Sequence, residues 1–82
     1  MKRGDMVRPN ITDGTYITLR DDKNWDRIED LTITNEDVCL VLEVRNIIWD
    51  KNHPYQEIKI LTPNNHIGWL TDQNLVIING LQ

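Results

Sequence analysis

Reactive side chains are scarce in this chain of 82 residues, which contains one Cys, two His and no Ser. Cys39 sits inside the apolar run Val38-Cys39-Leu40-Val41-Leu42, where a thiolate would lose its hydration, so a packing role is expected rather than a nucleophile. His53 and His66 fall in or beside polar turns and lack the close ligand spacing of a zinc site. Both read as solvated turn residues. Residues 21 to 37 carry seven acids (Asp21, Asp22, Asp26, Glu29, Asp30, Glu36, Asp37) against Lys23 and Arg27, a local net of −5. They lack the spacing and central glycine of a calcium loop, so they read as a solvated face. No catalytic residue, metal site or cofactor is assigned, and the expectation is a protein that is not an enzyme.

The aromatic residues offer more. If Leu70 points into a core, the two-residue period of a strand turns Trp69 outward. Tyr55 opens a neighbouring strand and Trp49 lies in the connection before it. A Trp beside a Tyr is the kind of anchor that dominates binding hot spots. The competing reading packs Trp69 under the long segment 10–37 and Trp25 against the body of the protein. Within that segment, Asp26, Glu29 and Asp30 could dock on a basic surface or mimic a phosphate backbone. The candidate partner-binding residues are therefore Trp69, Tyr55, Trp49, Asp26, Glu29 and Asp30.

The elements that must position these residues are mostly strands. The chain has eleven Ile, nine Asn and no Ala, a composition that favours pleated structure over helix. Its length suits one domain over 1–82, in which only about 64% of the extended surface would be buried. Met6 to Arg8 forms a short first strand closed by Pro9. Asn10 to Asp37 is a long acidic excursion, with a weak strand at Tyr16 to Leu19 and one helical turn suggested by Trp25, Ile28 and Leu31. Val38 to Arg45 is the strongest strand. Val38, Leu40, Leu42 and Val44 are taken as its core face, with Cys39 and Val41 opposite. Tyr55 to Thr62 alternates, with Ile58 and Ile60 on one face and Tyr55, Glu57 and Lys59 on the other. Pro63-Asn64-Asn65 is a tight turn, followed by a return strand at His66 to Leu70. A single tight helical turn at Thr71 to Asn74 precedes a last strand at Leu75 to Ile78, and 79–82 is a frayed tail. No connection in the second half is long enough for a parallel crossover. Five antiparallel strands closing on themselves are expected.

This order of elements resembles the Src-homology 3 (SH3)-like barrel: five strands, a long loop after the first, and a short 3-10 turn before the last. Gly68-Trp69-Leu70 matches the glycine, aromatic and apolar residue that precede the last strand of its signalling members, while Thr71 and Asn74 replace the Pro and Tyr that line their polyproline groove. The chain also resembles small SH3-like proteins encoded by bacteriophages, through Gly4, Asp5, Val7 and Arg8 at the start and Gly68, Trp69 and Leu70 near the end. That resemblance covers 1–9 and 38–78 and implies the fold; the compact barrel, the missing catalytic residues, the aromatic cluster and the acidic loop suggest a binding module in place of an enzyme.

The net charge of −4 leaves the chain outside 21–37 at +1, which argues against the global field of a nucleic-acid binder. The alternative of a nucleic-acid-binding accessory barrel would use Lys2, Arg3, Arg8, Arg45, Lys51 and Lys59. A lone cysteine and the lack of a membrane-length apolar run point to a reducing cytoplasm, that of the host if the chain is phage-encoded, or to a virion. The expected partner is another protein, a host factor or virion component, with no membrane.

Overall fold

A computed structural model describes residues 1–11, 16–21, 26–48, 52 and 54–78, with the side chains of Glu29 and Asp30 left out. Trp25, Trp49, Lys51, His53 and the tail 79–82 lie outside the described residues. The elements are β1 (Met6–Pro9), β2 (Ile17–Arg20), β3 (Arg27–Ile33), β4 (Cys39–Ile48), β5 (Pro54–Leu61), β6 (Ile67–Thr71), a 3-10 turn η1 (Asp72–Asn74) and β7 (Leu75–Ile77). All strand pairs are antiparallel, in one sheet ordered β3-β2-β6-β5-β4-β1-β7. β3 and β7 form its edges, and no ladder joins them among the described residues.

Among the described residues seven strands therefore stand where five were expected, and no hydrogen-bonded ladder closes the sheet. The extra strands come from the acidic excursion, where β2 and β3 form a hairpin. The helical turn suggested by Ile28 and Leu31 is replaced by β3. The 3.6-residue spacing of isolated apolar residues could not reveal that β2 offers a ladder, with Ile17 opposite Ile33 and Thr18 opposite Thr32. Tertiary pairing overrides such a weak local pattern. Asn35 ties the far end of the excursion to its beginning: its Oδ1 accepts the Ile11 N–H at 2.8 Å and its Nδ2 donates to the Ile11 carbonyl at 2.6 Å.

The core contains Val7, Leu19, Ile33, Cys39, Val41, Ile58, Ile60, Leu70 and Leu75. Ile58 and Ile60 face inward as their alternation predicted. The faces of β4 are the reverse of the expectation. Cys39 and Val41 are buried, Leu40 and Leu42 are half-buried, and Val38 is exposed. The cause is a register shift between Val41 and Glu43: Val41 pairs with Ile60 and Val44 with Ile58, so Leu42 is the extra residue. A bulge of this kind inserts one residue and re-aims the side chains beyond it. Val44, two registers on, thus rejoins the core side and packs against it.

Local chemistry accounts for the turns. Gly4 has φ +94, a conformation costly for any residue with a Cβ. Its N–H donates to the Val41 carbonyl at 2.9 Å, while the Asp5 carboxylate accepts the Lys2 N–H at 2.9 Å. Asn65, at φ 66, closes the β5–β6 turn predicted at Pro63 to Asn65, donating its N–H to the Thr62 carbonyl at 3.0 Å.

Candidate functional site

Between the β2–β3 hairpin and the β6–η1 segment lies an open groove of about 660 Å³. Tyr16, Thr18, Arg20 and Arg27 line it from the hairpin side, and Trp69, Thr71 and Asn74 from the other. The hairpin is held there by its close approach to β6. Arg20 pairs with Trp69, and a Cβ built on Gly68 would stand 2.6 Å from the Leu19 Cβ. Only a glycine lets the two backbones come this near. Leu19, 0% exposed, is thereby driven into the core and Arg20 turned to the groove side.

Ladder registers place one row of side chains across the outer face. Glu43 pairs with Lys59, Lys59 with Trp69, Trp69 with Arg20, and Arg20 with Arg27. Trp69 points away from the core, as the strand period predicted, yet it is only 1% exposed. The Arg45 guanidinium lies 4.1 Å from its ring centroid and the Lys59 ammonium 6.0 Å away. Both are in range of an attractive cation–π contact. Arg45 also donates from Nε to Glu43 Oε2 at 3.3 Å. Trp69 is thus a packed wall of the groove, covered by cationic side chains.

The other described candidates, Tyr55 and Asp26, lie outside the groove. Tyr55 is half-buried on the outer face of β5, opposite Ile47, and does not line the groove. Asp26 is exposed at the hairpin end, where its carbonyl accepts the Asp21 N–H at 2.8 Å. Glu29 and Asp30 lie on β3; their side chains, like Trp49, are outside the described residues. Of the three candidates whose side chains are described, Trp69 alone lines the groove.

Sequence reasoning missed Tyr16, Thr18, Arg20 and Arg27 as site residues. The available signal was the alternation Thr18-Leu19-Arg20, which places two polar side chains on one side of a strand. Thr71 and Asn74, singled out only as replacements, face each other across η1, the Asn74 Nδ2 donating to Thr71 Oγ1 at 3.3 Å. Asp72 fastens η1 to β5 by accepting the Gln56 N–H at 3.2 Å.

Cys39 is buried, and its Sγ donates to the Asp37 carbonyl at 3.8 Å. Burial, and then the nearby Asp37 carboxylate, push its thiol up to about 11. Such a group is a poor nucleophile near neutrality. His66 is exposed in the β5–β6 turn, its N–H bonded to Thr62 Oγ1 at 3.0 Å. Among the described residues no three His, Cys, Asp or Glu side chains gather as metal ligands, and no helix is long and apolar enough to cross a membrane.

No protein-family model, curated protein or solved structure matches this chain.

Proposed function

We propose that this protein is a non-catalytic interaction module built as an SH3-like barrel, which captures a segment of another protein in the groove between its hairpin and β6–η1. Strand connectivity supports the architecture. β4, β5 and β6 follow one another as antiparallel neighbours, and after η1 the chain returns so that β7 pairs with β1. In this reading the β2–β3 hairpin is the long loop of the barrel, folded over one end of the sheet. The Gly4-Asp5-x-Val7-Arg8 opening supports assignment to the small phage-encoded kind, with a host or virion protein as partner.

The observation that carries the function is the groove itself. Its walls combine an exposed tyrosine (Tyr16, 62% exposed), hydroxyl and amide groups (Thr18, Thr71, Asn74) and a packed indole. Polar groups of this kind can bond the backbone of an extended segment while the exposed Tyr16 ring receives a side chain. Asp26, Glu29 and Asp30 of the acidic excursion supply a second contact for a basic region of the same partner.

Selection from a random peptide library tests this reading. The expected result is enrichment of a common motif whose binding is lost in Thr71→Trp, a substitution that fills the groove from a half-buried surface position. Failure to enrich any motif, or equal capture by the Thr71→Trp variant, overturns it.

A further inference from the structure

The groove opens where the sheet parts. Among the described residues, the ladder between β2 and β6 consists of one pair, Arg20 with Trp69. Continued in the same antiparallel register, it would set Leu19 opposite Leu70 and Thr18 opposite Thr71. Those pairs do not form. Each strand is held instead on its far side, Ile17 and Thr18 by Ile33 and Thr32 of β3, and Leu70 and Thr71 by Ile58 and Glu57 of β5. Asp72 ties the end of β6 to β5 as well, by accepting the Gln56 N–H at 3.2 Å.

The lining residues locate the cavity at the strand edges. Ile17 and Thr18 line it from β2, and Trp69, Leu70 and Thr71 from β6. Successive residues of a strand point to opposite faces of a sheet. A cavity over one face would meet every second residue. One that meets consecutive residues of two neighbouring strands lies in the plane of the sheet, beside their backbones. A strand edge presents its N–H and C=O groups to whatever fills that space.

From these observations we propose that the gap between β2 and β6 takes an extended peptide segment as an added strand, held by main-chain hydrogen bonds to the facing edges. The inference deepens the peptide-capture reading above and rests on it. In this mode main-chain pairing supplies affinity and alternate side chains supply preference. One set of inserted side chains meets Ile17, which packs against the core, and Leu70, which is buried. The other set meets Thr18 and Thr71 on the outer side. The fitting segment therefore alternates apolar and polar residues and contains no proline, which has no N–H to donate.

The test uses the full chain, observed through its backbone amide resonances. The probes are the end-blocked hexapeptide Gly-Thr-Val-Thr-Val-Gly, two analogues N-methylated at both Thr or at both Val, and Gly-Thr-Pro-Thr-Pro-Gly. The expected result is that the hexapeptide shifts the amides of Ile17, Thr18, Leu70 and Thr71 and slows hydrogen exchange at one or more of them. An inserted strand points its N–H groups alternately to its two neighbours, so each N-methylated analogue should bind at least about tenfold more weakly. The Pro analogue should produce no saturable shift. Undiminished binding of either methylated peptide, or saturable binding of the Pro analogue at these residues, would overturn strand addition and leave peptide capture standing. If the hexapeptide itself does not bind, the same N-methylation is made in the library-selected motif and read in the same way. If no library sequence binds, peptide capture itself fails.

Discussion

Gly68 and Cys39 show how single side chains constrain this protein. A methyl group on Gly68 would collide with Leu19 at its Cβ, which cannot swing away as the tip of a flexible chain could. Gly68→Ala should therefore cost about 1–3 kcal/mol by denaturant unfolding and reduce hydrogen-exchange protection in β2. Adding Leu19→Ala, which alone removes a buried side chain at about 2–5 kcal/mol, should cost less than the sum of the two changes, because the residues touch. For Cys39 the relevant variable is pH. Its thiol keeps its proton to about pH 11 in the folded state, whereas an unfolded cysteine releases its proton near pH 8.5. The folded state thus holds more protons between these values, and the stability this contributes is complete below about pH 8.5 and lost as pH rises to about 11. Measured against Cys39→Val, which cancels the common titration of Lys and Tyr, the wild type should lose on the order of 2–3 kcal/mol across that window. A difference that does not change with pH would contradict the assignment.

At the level of elements, β4 repays comparison with its own sequence. Alternation alone assigns Leu40 and Leu42 to the core, since they share a face with Val38 and Val44. The bulge at Leu42 and the ladder to β5 place Cys39 and Val41 there instead. An isolated run of five apolar residues gives no information about which side is inner, because both faces are equally apolar. β5 was legible because only one of its faces is apolar, with Ile58 and Ile60 set against Glu57 and Lys59. The two faces of β4 can be distinguished by substitution. Val41→Asn places an amide at a fully buried site and should cost more than about 3 kcal/mol, whereas Leu40→Asn on the half-buried outer side should cost about 1 kcal/mol. Comparable losses at both positions in thermal or denaturant unfolding would show that the faces are misassigned.

For the molecule as a whole, the sequence concentrates its acidic excess in residues 21 to 37, while the described charged side chains that line the groove are Arg20 and Arg27. Residues 21 to 37, with their seven acids, also carry Arg27 and directly follow Arg20, and Arg20 and Arg27 both line the groove beside Trp69. Sequence-averaged charge hides this, since a net of −5 over residues 21 to 37 suggests a uniformly anionic surface. The consequence is measurable as salt dependence. A ligand held in the groove by charge should weaken several-fold between 0.05 and 0.5 M NaCl, as screening shortens from about 14 Å to about 4 Å. Capture governed by Tyr16 and the hydroxyl groups alone should be nearly insensitive to salt.

The sequence by itself determined the class of structure: an Ile-rich, Ala-free chain with a tight Pro-Asn-Asn turn, short connections and a single 3-10 turn forms an antiparallel sheet. Those are local properties, set by backbone conformational preference and by how far a short loop can reach. Only the tertiary structure decided which face of β4 is buried, that the acidic excursion is a hairpin, and that Arg20, Arg27, Trp69, Thr71 and Asn74 share one groove. Each of these depends on pairing between residues distant in the chain. A bulge of one residue, or a glycine admitting a neighbouring strand, changes every side chain's surroundings without leaving a periodic trace in the sequence.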